Sequence, residues 1–317
     1  MSELIGRGTY GCVVNPPITD NIIKKYKEYE NILHDDVGKL FKPVNSHSFQ
    51  TEYRNYTHNY KLIPNYNKIT VPVKGVNVIS QVNNYEIGEC LDLHKKEKNY
   101  IFQIIYKNAG KSFMDLPINF INFEKFIKIF LKFMINFKIY NDGKYIHGDI
   151  NSGNIMININ TSEILLIDFY FQETHETFLN EDNKKTLLHK YAFYPPEYKL
   201  LYMNIYNDKE SYDKQLSNFV SVQKKINSFT SSNLYSNAAI KKNITKLFNT
   251  FNIKDIDFAK IDIYSIGINL HLMRDSIIFN HDKDVKLFNK LIKNMVCFDP
   301  VKRYDINQVI RFLKKYN

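Results

Sequence analysis

The spacing of apolar residues differs between the first third of the chain and the part that follows. Short runs rich in Val, Ile, Phe and Tyr, at 37–41, around 71–82 and at 100–106, predict strands of a small sheet. Further on, apolar residues recur at helical spacing and predict an amphipathic helix that ends near Gly143. The apolar stripe of this helix, expected in the core, consists of Phe123, Phe126, Ile127, Phe130, Leu131, Met134 and Phe137. Strands followed by helices indicate an α+β fold.

A glycine-rich segment lies near the start of the chain. Residues 5–14 read IGRGTYGCVV, a GxGxxGxV pattern flanked by strand-forming residues. Glycines at the turn of a hairpin let backbone amides approach phosphate groups closely. A dinucleotide-binding Rossmann turn is the alternative, but it should lead directly into a helix, whereas here a strand continues and then breaks at Pro16-Pro17. The candidate nucleotide-binding residues of this segment are Ile5, Gly6, Gly8, Thr9, Tyr10, Gly11 and Val13.

A lysine on a neighbouring strand is needed to reach the nucleotide phosphates, and two candidates are present. Lys39 lies in an apolar run, where strand alternation places it on the same face as Val37, a further candidate nucleotide-binding residue. Lys24 follows two isoleucines, but further lysines close behind it are typical of a solvated face. We favour Lys39 because Glu52 follows it in a segment predicted to be helical, and this carboxylate can hold the lysine in an ion pair. An exposed helix carboxylate is the alternative for Glu52.

Two polar segments later in the chain carry the chemistry of a phosphoryl-transfer site. They are His147-Gly148-Asp149-Ile150-Asn151-Ser152-Gly153-Asn154 and Asp168-Phe169-Tyr170. Asp149 is the residue type that orients an attacking hydroxyl and accepts its proton. Asn154 and Asp168 offer the hard oxygen ligands that Mg²⁺ prefers. A chance occurrence of HxDxxxxN in an Asn-rich chain is the alternative.

The last predicted strand leads out of the sheet through residues 106–110, which we expect to form a hinge. The backbone of Ile105, Tyr106 and Lys107 is predicted to hydrogen-bond an adenine edge, with Ile104 closing the rear of that pocket. These roles are assigned from position along the chain.

Composition and charge limit the classes of protein that remain. The 317 residues, 44% of them hydrophobic, suffice for two lobes with a cleft between them. The net charge is +10, but the lysines are scattered, so we expect no direct nucleic-acid binding. Cys12, Cys90 and Cys297 are few and far apart, which argues for a reducing compartment and against a disulfide framework or a zinc site. Without a signal-peptide pattern or a membrane-span pattern, we predict an intracellular, cytoplasmic protein.

With its motifs in this order, the chain resembles the eukaryotic-type protein kinase superfamily from Gly6 to Arg303. Three more segments carry the resemblance. Tyr194-Pro195-Pro196-Glu197 is similar to the family's APE motif, Asp262-Ile263-Tyr264-Ser265-Ile266-Gly267 to its DxWxxG motif and Asp299-Pro300-Val301-Lys302-Arg303 to its DPxxR motif.

The resemblance implies a bilobal fold. Its N-lobe, at 1–106, is expected to contain a small antiparallel sheet and one main helix, and its C-lobe, at 107–317, to be mainly helical. The resemblance also implies ATP and Mg²⁺ as cofactors, a protein as substrate, and a buried ion pair between Glu197 and Arg303. A narrower resemblance, to the divergent serine/threonine kinases of large DNA viruses of eukaryotes, implies the host cytoplasm or the virus particle as location.

Three departures from the family pattern bear on mechanism. Gly148 stands where an arginine usually docks a phosphate of the activation loop, so we predict activity without phosphorylation of that loop at its available threonines. Those threonines are Thr174, Thr177 and Thr186. Asn151 replaces a lysine that faces the transferring phosphate, and Tyr170 replaces a glycine and narrows the backbone choices beside Asp168.

The connection between the YPPE and DIYSIG segments is longer than in the family, which predicts an insertion at about 198–258. A polar stretch at 228–243 predicts a loop within it, and residues 244–251 predict a helix.

Three functions remain open on the sequence. The first is an ATP-dependent kinase that transfers the γ-phosphoryl group to protein Ser/Thr hydroxyls. The second is a pseudokinase scaffold that binds nucleotide or a partner without transfer, as the three departures suggest. The third is a small-molecule kinase of the aminoglycoside or choline type, in which HGD followed by Asn also occurs. The YPPE and DIYSIG segments and Arg303 argue against the third.

Overall fold

The computed structural model describes residues 2–7, 11–19, 22–25, 35–42, 46–93, 100–177, 193–198, 217, 220–221, 224, 235–250 and 257–316. Contacts divide the chain into two compact units, residues 1–110 with 167–170 and residues 111–166 with 171–317. An antiparallel sheet together with several helices confirms the predicted α+β class. Within the described ranges, no helix is long and apolar enough to cross a membrane.

The first unit contains a six-stranded antiparallel sheet. Its strands are β1 (Glu3–Arg7), β2 (Gly11–Asn15), β3 (Ile22–Lys25), β4 (Val37–Phe41), β5 (Val73–Ile79) and β6 (Ile101–Tyr106), in the spatial order β1-β2-β4-β6-β5-β3. The strands predicted at 37–41, 71–82 and 100–106 are therefore present as β4, β5 and β6. β6 is a central strand, paired with β4 on one side and β5 on the other.

The two faces of this sheet pack against different helices, because successive side chains of a strand point in opposite directions. Phe41 of β4 packs with Phe49 of helix α1 (Ser46–Leu62) on one face. Leu40 packs in a cluster with Ile87 of helix α2 (Tyr85–Cys90) on the other. Lys39 shares a face with Phe41 and therefore points towards α1.

Cys12 of β2 and Cys90 at the end of α2 form a disulfide bond. The prediction against a disulfide was wrong. The two cysteines are separated by 78 positions in sequence, and they meet because β2 and α2 contribute to the same core cluster. Cys297 has a free thiol.

Helix α3 (Phe123–Asp142), in the second unit, is the amphipathic helix that the sequence predicted. All seven residues of the predicted apolar stripe are buried. The side chain of Asn122 caps the first turn by accepting the Lys125 N–H at 2.9 Å. Gly143 is the C-cap, which confirms the predicted end.

Further short strands and helices lie in the described part of the second unit. They are β7 (Lys111–Ser112), β8 (Ile121–Asn122), β9 (Tyr145–Ile146), β10 (Ile155–Asn158), β11 (Glu163–Leu166), β12 (Glu173–Thr174), α4 (Asn237–Thr250), α5 (Ile261–Leu272), β13 (Ile277–Ile278), α6 (Asp282–Met295) and α7 (Ile306–Lys314). β10 pairs with β11 and β7, and β9 pairs with β12. The polar segment 147–154 therefore connects two strands that are each fixed by pairing.

Helix α4 lies in the predicted insertion and begins earlier than the sequence suggested. The loop prediction was wrong for residues 237–243, which are helical, whereas the helix predicted at 244–251 is present as far as Thr250. Ile240, Ile244 and Leu247 recur at helical spacing and pack against Phe298, which explains the longer helix. Residues 228–234 lie outside the described residues.

The boundary of the first unit differs from the predicted position at residue 106. The first unit extends to Gly110, and the Lys107 N–H donates to the Pro72 carbonyl at 3.0 Å. Residues 167–170 also cluster with the first unit, which sequence order alone does not indicate.

Candidate active site

Lys39 and Glu52 form the ion pair that the sequence predicted. Strand alternation in β4 directs Lys39 towards α1, and Glu52 lies on the α1 face that packs on the sheet. Lys39 Nζ is 2.6 Å from Glu52 Oε2, and Glu52 is only 8% exposed, so it is not an ordinary surface carboxylate. The side chain of the alternative lysine, Lys24, lies outside the described residues.

Asp168 is the third charged member of this cluster. Its Oδ2 lies 3.9 Å from Lys39 Nζ. Its backbone is left-handed, with φ at 62°, a conformation that Asp adopts more readily than most residues and that is often found at functional sites. The following residue, Phe169, accepts a hydrogen bond from Asn55 Nδ2 at 3.1 Å, and its ring lies 5.2 Å from that of Tyr66. These contacts fix the unusual backbone at Asp168.

One oxygen of Asp168 is poised for a ligand. Oδ1 is buried, and within the described residues it has no hydrogen-bond partner. A buried carboxylate oxygen without a partner is costly, so it is expected to bind a cation or a donor. Among the described residues, no cluster of three or more His, Cys, Asp or Glu side chains is arranged to hold a metal ion.

Tyr106 completes the surroundings of Glu52. Its hydroxyl donates to Glu52 Oε1 at 2.5 Å, so both carboxylate oxygens are bound. Burial raises the pKa of the Glu52 carboxyl, the charge of Lys39 lowers it, and the charge of Asp168 adds to the rise. Burial also raises the pKa of the Tyr106 hydroxyl, and the neighbouring Glu52 raises it further, so this hydroxyl stays a donor.

The sequence predicted a backbone role for residues 105–107 but not the contact between the Tyr106 side chain and Glu52. Ile105 and Tyr106 lie in the ladder of a central strand, and the Lys107 N–H already donates to Pro72. The adenine contact predicted for the backbone of residues 105–107 stays a prediction. The available signal was alternation, which places Tyr106 on the same strand face as Ile104, and Ile104 packs with Phe49 of α1.

The glycine-rich segment forms the predicted hairpin of β1 and β2. Gly6 pairs with Val13 across it. A side chain at Gly11 is excluded, because a Cβ there would lie 1.8 Å from the Leu40 carbonyl oxygen. Ile5 is 56% exposed. Gly8, Thr9 and Tyr10 lie outside the described residues.

Two of the predicted nucleotide-binding valines accompany Lys39. Val13 is directly opposite Lys39 in the ladder between β2 and β4, so the two side chains share a face of the sheet. Val37 lies two positions from Lys39 on β4 and is on the same face. The structure therefore brings Val13, Val37, Lys39, Glu52 and Asp168 together in the first unit.

In the second unit, Asp149 is held by two asparagine amides. Asn151 Nδ2 donates to Asp149 Oδ1 at 3.0 Å, and Asn154 Nδ2 donates to Oδ2 at 2.9 Å. Asn154 Nδ2 is also 2.9 Å from the Asp149 carbonyl, so Asn154 Oδ1 is the amide atom left for a ligand. The Asn151 amide is itself oriented, because its Oδ1 accepts the Gly153 N–H at 2.9 Å.

Asp262, at the start of α5, fixes the backbone that precedes Asp149. Its Oδ2 accepts the His147 N–H at 2.8 Å, and its Oδ1 accepts the Gly148 N–H at 3.4 Å. Burial raises the pKa of the Asp262 carboxyl to about 7, although both amides favour the charged form. Tyr194 supports the same loop by donating from its hydroxyl to the Gly148 carbonyl.

The backbone conformation at position 148 requires a glycine. Its φ is 73°, and an added Cβ would lie 2.9 Å from the Phe171 carbonyl oxygen. Any residue with a Cβ, including the arginine that the resemblance implies here, would be strained at position 148. Of the three threonines in the following segment, Thr174 and Thr177 hydrogen-bond to each other, with 3.1 Å between their hydroxyls, and Thr186 lies outside the described residues.

Glu197 and Arg303 form the expected buried ion pair. Arg303 Nη2 donates to Glu197 Oε2 at 2.9 Å, Nη1 donates to Oε1, and neither residue is more than 1% exposed. Arg303 Nε also donates to the Cys297 carbonyl at 2.9 Å. The arrangement is a bidentate pair in which Nε is also hydrogen-bonded.

The residues predicted to take part in phosphoryl transfer thus fall into two sets, one in each unit. The first unit contributes Lys39, Glu52 and Asp168, and the second contributes Asp149 and Asn154. Compared with models of known protein families and with curated proteins, the sequence matches none of them.

Proposed function

We propose that this chain is an ATP-dependent protein kinase with a bilobal kinase-like architecture, and that it transfers the γ-phosphoryl group to Ser or Thr hydroxyls of a protein substrate. Each unit contributes one part of this chemistry. The narrower resemblance to viral kinases, and a location in host cytoplasm or virus particles, stay predictions.

One observation carries the proposal. Lys39 lies between two carboxylates, at 2.6 Å from Glu52 and 3.9 Å from Asp168, on a sheet face beside a glycine hairpin. Phosphoryl-transfer enzymes of this kind need a lysine that is held by a carboxylate and can reach phosphate oxygens, together with an aspartate for the metal. The buried Oδ1 of Asp168, which has no hydrogen-bond partner within the described residues, supplies an oxygen for that metal.

Asp168 and Asn154 are each of a residue type that fits Mg²⁺. Asp168 Oδ1 is a buried oxygen that has no hydrogen-bond partner within the described residues, and Asn154 directs its amide nitrogen to Asp149, which leaves its oxygen as a ligand. Both are hard oxygen ligands, and Mg²⁺ commonly takes few ligands from protein and the rest from water and phosphate. When bound, Mg²⁺ neutralises negative charge on the phosphates.

Asp149 is the proposed base. Its carboxylate accepts the proton of the substrate hydroxyl as the hydroxyl oxygen forms its bond to the γ-phosphorus. The bond between the γ-phosphorus and the bridging oxygen breaks, and that oxygen leaves with ADP. Two amide donors hold the carboxylate in one orientation, which is the positioning on which such transfer depends.

A nucleotide-binding protein without transfer is the second candidate. Both oxygens of Asp149 already accept amide hydrogen bonds, and Asn151 carries no positive charge for the transferring phosphate. Each carboxylate oxygen has a further lone pair, so these hydrogen bonds weaken the base without blocking it. We therefore rank transfer first.

The test is transfer of labelled phosphate from γ-labelled ATP to a generic basic or acidic protein, followed by identification of the modified amino acid. Asp149→Ala and Asp168→Ala should each lower the rate by about 10²–10⁴-fold. Asp142→Ala is the matched control, since Asp142 is a carboxylate on α3 whose side chain is 55% exposed, and it should transfer at the unaltered rate.

Nucleotide binding is measured on the same samples. Binding of ATP by the unaltered chain without transfer to any protein would favour the second candidate. Phosphorylation of an aminoglycoside or an amino alcohol while proteins stay unlabelled would favour a small-molecule kinase. Failure to bind ATP would contradict both kinase functions and the nucleotide-binding form of the scaffold.

A further inference from the structure

We infer that a cavity of the second unit, lying between helix α4 and residues 297–302, binds an acidic peptide segment and takes up one of its apolar side chains. The cavity has a volume of about 440 Å³. This lies within the range of about 300–1,000 Å³ that is usual for ligand sites. The inference concerns residues other than those of the proposed transfer site, and it does not depend on that activity.

The floor of the cavity is apolar. Leu247 of α4 and Phe298 line it, and both are buried, at 8% and 4% exposure. The ring of Tyr235 lies 5.1 Å from that of Phe298 and forms another wall. An aliphatic or aromatic side chain entering from solvent would meet these surfaces and lose its contact with water.

The walls are held in place by hydrogen bonds, so the cavity does not depend on a ligand for its shape. Arg303 Nε donates to the Cys297 carbonyl at 2.9 Å, and Lys260 Nζ donates to the Pro300 carbonyl at 3.0 Å. The Tyr235 hydroxyl donates to the Lys293 carbonyl at 3.2 Å. A preformed site loses little conformational entropy when it binds.

The charge at the rim is positive. Lys246 lines the cavity from α4, is exposed, and forms no ion pair within the described residues. Asp299 is the acidic residue among the described lining residues, and Lys302 already pairs with it at 3.2 Å. The charge left unbalanced is therefore that of Lys246, on a chain whose net charge is +10.

Apolar surface continues outward from the cavity at Val301, which is 73% exposed between Pro300 and Lys302. A floor that accepts an apolar side chain, below a rim that accepts carboxylates, matches a peptide with acidic residues around an apolar one. Nucleic acid would instead require a row of cations along a backbone, and an apolar floor adds nothing to that. An acidic protein segment is the occupant that both features favour.

The direct test measures fluorescence anisotropy of a labelled decapeptide made of glutamates around one central phenylalanine, with the full chain. Lys246→Glu should weaken binding about tenfold, since a favourable charge contact becomes a repulsion. Val301→Asp should weaken it as well. The matched control is Lys242→Glu, which makes the same charge change on the same helix at an exposed position outside the cavity, and it should leave binding within about threefold of the unaltered chain.

Two comparisons decide between this site and general charge attraction. A peptide with alanine in place of phenylalanine should bind at least several-fold more weakly, and Lys242→Glu should not reproduce the loss seen with Lys246→Glu. Equal binding of the two peptides, equal losses in the two lysine variants, or displacement of the peptide by a single-stranded oligonucleotide of the same charge would each overturn the inference. Thermal unfolding of each variant checks that the fold is kept.

Cys297 supplies a second measurement that needs no variant. It lines the cavity, and because Cys12 and Cys90 are joined, it carries the free thiol of the chain. Bound peptide should slow alkylation of Cys297 by iodoacetamide, and mass spectrometry measures the rate. The peptide with alanine in place of phenylalanine should slow the alkylation less. Alkylation at the same rate with and without saturating peptide would place the peptide elsewhere and overturn the inference.

Discussion

Asn151 donates a hydrogen bond from its side-chain amide to the carboxylate of Asp149, with 3.0 Å between Nδ2 and Oδ1. In the proposed kinase, Asn151 would supply a neutral donor where the resemblance implies a lysine. The amide fixes the direction of the carboxylate without adding positive charge beside it.

Replacing Asn151 with alanine should slow transfer about tenfold, because a hydrogen bond to a charged group is worth about 1.5–3 kcal/mol. The acidic limb of the pH–rate profile should move to higher pH, since the carboxylate loses a donor that favours its charged form. Asn151→Lys should move that limb the other way. Steady-state rates across pH, with ATP affinity measured separately, check both shifts, and an unchanged profile in both variants would show that Asn151 does not act on Asp149.

Tyr106→Phe tests the hydroxyl that binds Glu52. The substitution keeps the ring but leaves a buried carboxylate oxygen without a donor, so the free energy of unfolding should fall by about 1–3 kcal/mol. Urea denaturation gives the value. Tyr85→Phe is the matched control: Tyr85 also donates to a glutamate, Glu89, at 2.6 Å, but it is 74% exposed, and its loss should have little effect. Equal effects of the two substitutions would mean that burial of the Tyr106 contact is unimportant.

Glu197→Ala should destabilise the chain by about 3–5 kcal/mol, because it leaves the buried guanidinium of Arg303 without its counter-charge. Adding Arg303→Met to the same chain should restore part of that loss, since the uncompensated charge is then gone. Lys138→Ala, which breaks an ion pair with Asp142 on the surface of α3, should cost less than about 1 kcal/mol. A double variant that is no more stable than Glu197→Ala would argue against an uncompensated charge as the cause.

Asp262 makes stability depend on pH. Its pKa in the folded chain is raised to about 7 from an ordinary value of 3.8, so the folded state keeps a proton that the unfolded state releases. The stabilisation from this proton is present below pH 4 and is lost as the pH rises from about 4 to 7, by on the order of 2–4 kcal/mol. Asp262→Asn removes this dependence.

The quantity to measure is the difference in unfolding free energy between the unaltered chain and Asp262→Asn, at several pH values. Taking the difference cancels other groups, including His271, whose pKa is lowered to about 4 mainly by burial and whose contribution has the opposite sign. A difference that stays constant from pH 4 to 7 would contradict the raised pKa.

Gly148→Ala should destabilise the chain by about 1–3 kcal/mol, because alanine disfavours positive φ and its Cβ would meet the Phe171 carbonyl. Gly88→Ala is a matched control in α2, where nothing lies within 4 Å of an added Cβ, and there alanine should stabilise by about 0.5–1 kcal/mol. The two variants are compared by thermal unfolding. If Gly148→Ala is as stable as the original, the loop does not need a glycine.

The contacts that the sequence predicted correctly depend on local periodicity. Alternation in β4 put Lys39 on one face, and a helical segment soon after it carried Glu52, so their pairing required only that the helix pack on that face. The apolar stripe of α3 and its glycine end were predictable for the same reason. The pairing of Lys39 with Glu52 and the course of α3 both follow from residues that are close together in the chain.

The contacts that the sequence did not predict join distant segments or depend on side-chain direction. The bond between Cys12 and Cys90 requires β2 and α2 to share a core, and no spacing of cysteines reports that. The hydrogen bond from Tyr106 to Glu52 could not be predicted without knowing that β6 lies next to α1. The hydrogen bond from Asn151 to Asp149 could not be predicted because it depends on the backbone path of an irregular loop. The start of α4 was missed because its polar residues, Asn and Lys, outnumber the few buried isoleucines that define its inner face.

The first unit is not contiguous along the chain, because residues 167–170 belong with residues 1–110. A gene fragment that stops at codon 110 would therefore encode a product without Asp168, which pairs with Lys39, and without Phe169, whose ring rests on Tyr66. Such a product would expose the Tyr66 ring to water and leave Lys39 with one carboxylate fewer. To produce the first unit with its native contacts, one must therefore express the full chain or join residues 167–170 to residues 1–110.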